Sequence, residues 1–370
     1  MDRLRTLRAS VTDDLSRQPD APRTPRPPKR PQPDAPVLVD AWPRSTPFPL
    51  NGWLERNGFA PIWTALIVFV LAFIAFQVVG AIAMAVGIIP GLVESGQTEV
   101  DPNDIMTMMT ENKGAILIGN TVGQFIGFAL LALVFARLHT RRAGAFLRLR
   151  MPDWPAFALA AVGWVALVPA IQWLGRINQM LPQPQWLEEM EAMQMDLIEG
   201  VLTGGDLSTA FLFFALAMTP TICEELLFRG YLQRQVERKW GAATSIVLVG
   251  VLFGLYHLRL TQVVPLSLLG IWMGYVVWAS GSLWSGMLVH VLNNGLAVLV
   301  SAYVRDQPDL EMSAVEEMAV PWYLGLAGLL AVAGIGYMMW MRRRAVVGDT
   351  PDAQPVSVSP SLSPLVPVPS

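Results

Sequence analysis

The sequence has little charge, almost no cysteine and little histidine, and each shortage disfavours a class of protein. Only 15% of the 370 residues are charged and 53% are hydrophobic, whereas soluble domains carry about 25% charged residues. A soluble enzyme of this length is therefore disfavoured, and the same apolar excess excludes disorder along the whole chain. One cysteine, Cys223, excludes an intrachain disulfide and a cysteine-rich metal site. The formal net charge of −3 gives no indication of nucleic-acid binding.

Long apolar segments fill the middle of the chain. They run over 61–89, 114–136, 154–174, 207–228, 241–258, 262–279, 283–302 and 321–341. A helix needs about 20 apolar residues to cross the hydrocarbon core of a bilayer, so the sequence predicts an all-α, polytopic membrane bundle of about eight transmembrane helices. The fifth and sixth segments are short, which is compatible with tilted, recessed or partly re-entrant helices.

Proline is concentrated at the two ends of the chain. Residues 1–50 hold 11 of the 29 prolines, and residues 351–370 hold six more. Such segments bury too little apolar surface to fold, and the first residues lack the apolar core of a signal peptide. We therefore expect a disordered cytoplasmic segment at 1–58, a transmembrane domain at 59–344 and a disordered tail at 345–370.

Basic and acidic residues fall on opposite faces of the predicted bundle. Four regions hold 22 of the 26 Lys and Arg residues. They are the segment up to Phe59 and residues 137–150, 229–239 and 342–344. The other loops, at 90–113, 175–206 and 303–320, hold 16 acidic residues and three basic ones. Positive loops stay cytoplasmic, so both termini are expected in the cytoplasm of a bacterium with the chain in its inner membrane.

Three short motifs place polar side chains inside apolar segments, where an ionised group costs about 2.5–3.5 kcal/mol on insertion scales. The motifs are Glu224-Glu225-x-x-x-Arg229, Phe253-x-x-x-His257 and His290-x-x-x-Asn294. Residues four apart share a helix face, so we expect Glu225 to pair with Arg229. Glu224 then points about 100° away from that pair and is available for another role. Asn293 is expected to hydrogen-bond to a neighbouring helix.

A turn at Trp240/Gly241 would bring the first two motifs to the same depth. Glu224 lies 16 residues before Trp240, and His257 lies 16 residues after Gly241. In an antiparallel helix pair both side chains are then at similar depth. His290 reaches that depth only if the turn at Ser280–Leu283 is recessed from the membrane surface.

A carboxylate and two imidazoles in an apolar cavity are suited to hydrolysis. Desolvation makes Glu224 a better proton acceptor for water, and His257 orients that water or transfers the proton. His290 and Asn294 can donate hydrogen bonds to a developing oxyanion. A metal site is the alternative, with Glu224, His257 and His290 holding a divalent ion such as zinc and water as the fourth ligand.

The three motifs, in this order on apolar helices, resemble those of the CPBP family. Its members are intramembrane endopeptidases related to the type II CAAX prenyl protease and to bacteriocin-processing and immunity proteins. The resemblance covers about residues 207–300. It implies hydrolysis of a peptide bond in a membrane-associated protein or peptide, and the family name implies a prenylated CAAX substrate.

The resemblance also implies a role for each motif residue. Glu224 would be the general base and His257 its catalytic partner, while His290 and Asn294 would form the oxyanion site. Glu225, Arg229 and Phe253 would be structural. Both a metalloprotease and a glutamate mechanism without a metal are consistent with these residues. We favour direct activation of water, because Asn294 fits an oxyanion donor better than a metal ligand.

Two other functions are compatible with the sequence. One is a non-proteolytic membrane scaffold or bacteriocin self-immunity protein that keeps the fold. The other is a proton-coupled transporter that uses Glu224 and the histidines as a relay, although no internal repeat supports it.

Several polar residues outside the motifs are expected to have ordinary roles. His139 lies among arginines and is expected to be a solvated cytoplasmic residue. Asn120 and Gln124 are expected to make interhelical hydrogen bonds. A thiolate nucleophile at Cys223 is disfavoured because adjacent carboxylates oppose thiol ionisation. The acidic stretch Glu188–Asp196 is expected to form an amphipathic external helix.

Overall fold

The computed structural model describes residues 37–38, 48–94, 111–203, 207–307, 320–347 and 355–356. The helices are α1 (Trp53–Arg56), α2 (Pro61–Glu94), α3 (Lys113–His139), α4 (Ala143–Phe146), α5 (Trp154–Gln179), α6 (Gln185–Thr203), α7 (209–240), α8 (242–256), α9 (Leu260–Ser280), α10 (Leu283–Arg305) and α11 (Trp322–Val347). The strands are β1 (Val37–Leu38), β2 (Phe48–Pro49) and β3 (Pro355–Val356), which pair antiparallel in the order β2–β1–β3. With strands of two residues each, the predicted all-α class is confirmed.

Seven helices in the described residues are long and apolar enough to cross a membrane. The longest, Thr209–Tyr256, is interrupted at Gly241, whose φ of 81° and ψ of 174° lie outside the helical region. Glycine is the residue that adopts this backbone conformation without a steric penalty. The interruption divides the 48 residues into α7 and α8, which confirms the predicted turn and gives the expected eight segments.

The helix α7 lies at the centre of the bundle, and α2 and α11 lie at its periphery. Residues 219–236 of α7 are almost all buried. By contrast, α2 and α11 expose rows of large apolar side chains, including Leu66, Val78, Ile82, Leu330 and Tyr337. Such surfaces are suited to contact with lipid. The polar residues of α7 are therefore enclosed by protein, which is the arrangement that a membrane interior requires of ionisable groups.

Close packing of α2 against α3 depends on glycines. A Cβ atom on Gly123 would lie 2.7 Å from the carbonyl oxygen of Phe76, and one on Gly119 would lie 2.6 Å from that of Gly80. Small residues at four-residue spacing let two membrane helices approach until their backbones touch. This contact brings the backbones of α2 and α3 together.

Three π-helical segments widen the helices at Phe125–Leu130, Phe214–Met218 and Leu226–Leu232. Such insertions into α-helices are frequent at functional sites. The last segment begins directly after Glu225 and contains Arg229. The helix is therefore wider at this point than a regular α-helix.

The packed region begins before the boundary at residue 58 that proline content predicts. Phe48, Leu50 and Leu54 are buried, and the amide of Gly52 donates to the carbonyl of His139 over 2.8 Å. A few apolar side chains are enough to attach this stretch to the end of α3. Most of the predicted disordered segments lies outside the described residues.

The expectation that His139 is solvated is wrong. Its side chain is fully buried, with Nδ1 2.7 Å from Glu55 Oε1 and Nε2 3.0 Å from the hydroxyl of Tyr231. Its ring stacks on Phe146 at a centroid distance of 5.3 Å. The neighbouring arginines are exposed at the same helix end. A high number of charged neighbours in the sequence therefore does not predict whether this imidazole points to solvent or into the protein.

The turn between α9 and α10 is buried within the protein. Ser280 and Ser282 are fully buried. The amide of Leu283 donates to the carbonyl of Arg148 over 2.9 Å, and Arg150 Nε donates to the carbonyl of Gly281 over 2.6 Å. The segment before α5 thus covers the turn and satisfies backbone groups that lie away from water.

Candidate active site

Glu225 connects α7 with α10. Its Oε1 accepts a hydrogen bond from Arg229 Nη1 at 2.6 Å and lies 3.0 Å from His290 Nδ1. All three side chains are buried. Glu225 and Arg229 therefore pair, as their spacing predicts, and the same carboxylate also orients His290. Because a carboxylate accepts at Nδ1, that nitrogen carries the proton and Nε2 faces the rest of the site.

Arg229 is fully enclosed, and every side of its guanidinium meets protein. Its Nη2 donates to the carbonyl of Gly270 at 3.2 Å, and the guanidinium carbon lies 4.2 Å from the ring centroid of Phe253. The aromatic ring thus provides a cation–π surface. Four residues further along each helix, Gln233 Nε2 donates to the carbonyl of Gly274 at 3.0 Å. These contacts attach α7 to α9 and hold Glu225 and Arg229 in place.

Glu224 is the second carboxylate of the centre and precedes Glu225 on α7. Its side chain is buried, and its Oε2 has no hydrogen-bond partner among the described residues. That oxygen lies 3.9 Å from His290 Nε2. A buried carboxylate oxygen without a donor is costly, which is typical of a group that binds water or substrate.

Asn294 completes the α10 side of the centre. Its Nδ2 lies 3.3 Å from His290 Nε2 and donates to the carbonyl of Leu216 at 3.2 Å. The amide hydrogens are thus used within the protein in this arrangement, so an oxyanion would compete with these partners. The adjacent Asn293 accepts from Trp164 Nε1 at 3.4 Å, which confirms the predicted interhelical hydrogen bond.

His257 follows directly after the last turn of α8. Its Nδ1 lies 2.8 Å from the carbonyl oxygen of Phe253, so Nδ1 is the donor and Nε2 is left to accept a proton. The ring lies edge-on to Phe253, with 4.8 Å between centroids. Phe253 also lies edge-on to His290, with 5.8 Å between centroids. The described structure thus brings all three sequence motifs to one site.

The site does not fit the predicted metal alternative. Within residues that the structure describes, no group of three His, Cys, Asp or Glu side chains is arranged to hold a metal ion. His290 uses Nδ1 for Glu225, and its Nε2 lone pair faces the amide of Asn294. In this arrangement Glu224, His257 and His290 are not grouped as metal ligands.

The part of the chain that holds these motifs matches a known family. Residues 206–296 match the model of the type II CAAX prenyl endopeptidase Rce1-like family. This stretch, about a quarter of the chain, is similar to an Rce1-like domain. It includes every residue from Glu224 to Asn294 and confirms the resemblance to the CPBP family. The apolar helices of the described residues are those of an integral membrane protein, and the match supports a protease of the CAAX endopeptidase type in general terms. No curated protein matches the chain, and no solved structure does.

Gly286 belongs to the site of the Rce1-like domain and was not among the predicted residues. A Cβ atom at this position would lie 2.6 Å from Glu225 Oε2 and 2.7 Å from Val277 Cγ2. Only glycine lets the carboxylate approach α10 this closely. The signal was present in the sequence, because Gly286 precedes His290 by four residues and so shares its helix face.

The other polar candidates lie apart from this arrangement. Cys223 is fully buried in the main hydrophobic core. Gln124 Nε2 lies 3.5 Å from Asn120 Oδ1, so these two residues bond within α3. The predicted amphipathic helix over Glu188–Asp196 is present as α6, and its buried Glu191 contacts the turn that follows His257.

Proposed function

We propose that this protein is a glutamate-type intramembrane endopeptidase that hydrolyses a peptide bond of a membrane-associated protein or peptide without a metal ion. The observation that carries the proposal is the unpartnered Oε2 of buried Glu224, 3.9 Å from His290 Nε2. This oxygen is left to accept a proton or a hydrogen bond, and an imidazole nitrogen lies close to it.

Glu224 acts as the general base. It takes a proton from a water molecule, and the resulting hydroxide forms a bond to the carbonyl carbon of the scissile peptide. The carbonyl π electrons move onto oxygen and give a tetrahedral oxyanion. When that intermediate collapses, the C–N bond breaks, and the proton held by Glu224 passes to the leaving amine, directly or through His257. Atoms and protons therefore balance with water as the only co-reactant.

Asn294 stabilises the oxyanion through its amide hydrogens, and His290, whose Nε2 carries a lone pair and no hydrogen, positions that amide. In the resting arrangement the amide of Asn294 faces His290 Nε2, and it turns towards the oxyanion when substrate enters. Glu225 holds His290 from the opposite side through Nδ1 and so fixes the tautomer whose Nε2 accepts from Asn294. Arg229 balances the charge of Glu225, which would otherwise be buried without a counter-ion.

The substrate is expected to reach the site within the bilayer. The family description names prenyl CAAX endopeptidases, so a lipid-modified protein terminus is the substrate class to test first. The distribution of basic loops supports a cytoplasmic location for both termini in a bacterial inner membrane.

The decisive experiment is cleavage of a membrane-anchored peptide library by purified protein in vesicles. We expect Glu224→Gln to lower kcat by about 10²–10⁴-fold, the contribution typical of general acid–base catalysis. The control is Glu188→Gln, which makes the same chemical change on an exposed part of α6. A chelator is expected to leave wild-type turnover unchanged.

Three outcomes would contradict the proposal. Equal turnover by wild type and Glu224→Gln would overturn the role of Glu224. Loss of activity with chelator and recovery with zinc would favour the metal mechanism. An unchanged cellular phenotype of Glu224→Gln with no cleavage by wild type would favour a non-proteolytic scaffold.

A further inference from the structure

The turn that follows His257 has an unfavourable backbone conformation. Leu258 has a φ of 53°, in the left-handed region that non-glycine residues seldom adopt. Such conformations persist where surrounding contacts enforce them. The turn leads into a short 3₁₀ helix at Leu260–Gln262, so the contacts that hold this region also determine where α8 ends.

Asn178 holds the turn from one side. It lies near the end of α5 and is 3% exposed. Its Nδ2 donates to the carbonyl of Leu260, and its Oδ1 accepts from the amide of Val264, both at 2.8 Å. One side chain therefore satisfies a carbonyl and an amide on the two sides of the 3₁₀ turn.

Glu191 holds the same turn from the other side. It lies on α6 and is 5% exposed. Its Oε1 accepts from the amides of Leu260 and Thr261, and its Oε2 accepts from the Thr261 hydroxyl. This carboxylate caps the first amides of a helical turn, where a negative group is favoured.

Helix α6 is also fixed at its far end. Val201 packs in a small apolar cluster with Leu212 of α7 and Val298 of α10. The helix therefore connects the turn after His257 with the helices that carry Glu224 and His290. Neither α5 nor α6 lies within residues 206–296, the stretch that matches the family model.

We propose that Asn178 and Glu191 are positioning residues for His257. They act through the backbone of the turn, and this inference rests on the endopeptidase function proposed above. His257 occupies the C-terminal cap of a helix of only 15 residues, and helix ends fray unless other groups satisfy them. With the turn held, the bond from Nδ1 to Phe253 remains formed and Nε2 stays directed towards the water on Glu224.

The hydrogen-bond pattern makes a specific prediction about the substitutions. Glutamine at position 191 keeps Oε1 for the two amides, and its Nε2 can donate to the Thr261 hydroxyl instead of accepting from it. We therefore expect Glu191→Gln to keep kcat within about threefold of wild type. Glu191→Ala removes all three bonds, and a misplacement of about 1 Å at a reacting group lowers kcat by about a hundredfold. KM is expected to change little.

Hydrogen exchange provides a readout that does not depend on activity. The amides of Leu260 and Thr261 are expected to exchange faster in Glu191→Ala than in wild type. In Asn178→Leu, the amide of Val264 is expected to exchange faster than in wild type for the same reason. The matched control is Glu188→Ala, on the exposed face of α6, which should leave both exchange and kcat unchanged.

The outcomes separate this inference from the proposed function. If Glu191→Ala matches Glu188→Ala in kcat and in exchange of the turn, the positioning role is overturned. It is also overturned if Glu191→Gln loses as much activity as Glu191→Ala, because the charge and not the hydrogen-bond pattern would then matter. If Glu224→Gln remains active while amide exchange in the turn changes as expected, the proposed mechanism is overturned. The role of Asn178 and Glu191 in holding the turn is then still supported.

Discussion

At the scale of single residues, the site depends on which of two adjacent carboxylates meets which partner. Glu225 Oε1 contacts both Arg229 and His290, whereas Glu224 approaches His290 only at 3.9 Å through Oε2. Each carboxylate keeps its Oε2 without a donor among the described residues. Identical side chains thus have different roles because the helix turns about 100° between them. The small size of Gly286 is as important as either charge, since it lets α10 approach the carboxylate.

We expect Gly286→Ala to displace Glu225 and, with it, His290. The added methyl group would lie 2.6 Å from Glu225 Oε2, so kcat should fall by about a hundredfold, while overpacking lowers the free energy of unfolding by about 1–3 kcal/mol. Gly144→Ala is the control, because a Cβ there meets nothing within 4 Å. Turnover of Gly286→Ala close to that of Gly144→Ala would contradict the packing argument.

At this scale the sequence predicted helix faces but not contacts across helices. The pairing of Glu225 with Arg229 followed from four-residue spacing. The contact between Glu225 and His290 joins residues 65 positions apart, and spacing within one helix does not determine it. His139 was misjudged for the same reason, since its partners Glu55 and Tyr231 lie 84 and 92 positions away.

At the scale of elements, the reversal at Gly241 creates the pairing of α7 with α8. It brings the carboxylates on one helix to the depth of His257 at the end of the other. The turn assumed at Trp240/Gly241 is present, because the backbone of Gly241 leaves the helical region. The sequence did not predict that Asn178 and Glu191 hold the opposite end of α8, since neither lies in a recognised motif.

Gly241→Ala tests the backbone argument. The φ of 81° and ψ of 174° are strained for any residue with a Cβ, and a Cβ there meets nothing within 4 Å. The loss in free energy of unfolding, about 1–3 kcal/mol, should therefore come from the backbone alone and appear as a lower thermal midpoint in detergent. Gly334→Ala is the control, since a Cβ at that helical position also meets nothing within 4 Å. An unchanged midpoint in Gly241→Ala would show that the turn tolerates side chains.

At the scale of the whole molecule, Glu55 connects three distant parts of the chain. It comes from α1, bonds to His139 at the end of α3 at 2.7 Å, and pairs with Arg238 of α7 at 2.8 Å. Burial alone would raise the pKa of Glu55, but the hydrogen bond from His139 and the charge of Arg238 hold it below its ordinary value. The ionised form is thus favoured by folding.

The stability that Glu55 provides should depend on pH in a defined direction. A lowered pKa means that the contribution is fully present above the unfolded value, about 4.3, and is lost as the pH falls through the folded value. We expect the thermal midpoint of wild type to decline more steeply on acidification over this window than that of Glu55→Gln. Parallel curves for the two proteins would contradict this role, and Glu188→Gln should follow wild type.

The centre of Glu224, Glu225 and Arg229 has a consequence for where charge can reside during a reaction. With both imidazoles neutral, the two carboxylates and one guanidinium leave a net charge of minus one in a space enclosed by apolar side chains. Uptake of a proton by Glu224 makes the protein side of the centre neutral at the moment when the substrate becomes an anion. The total charge inside the membrane therefore stays constant and moves only a few ångströms, so the large cost of bringing a new charge into a low-dielectric medium does not arise.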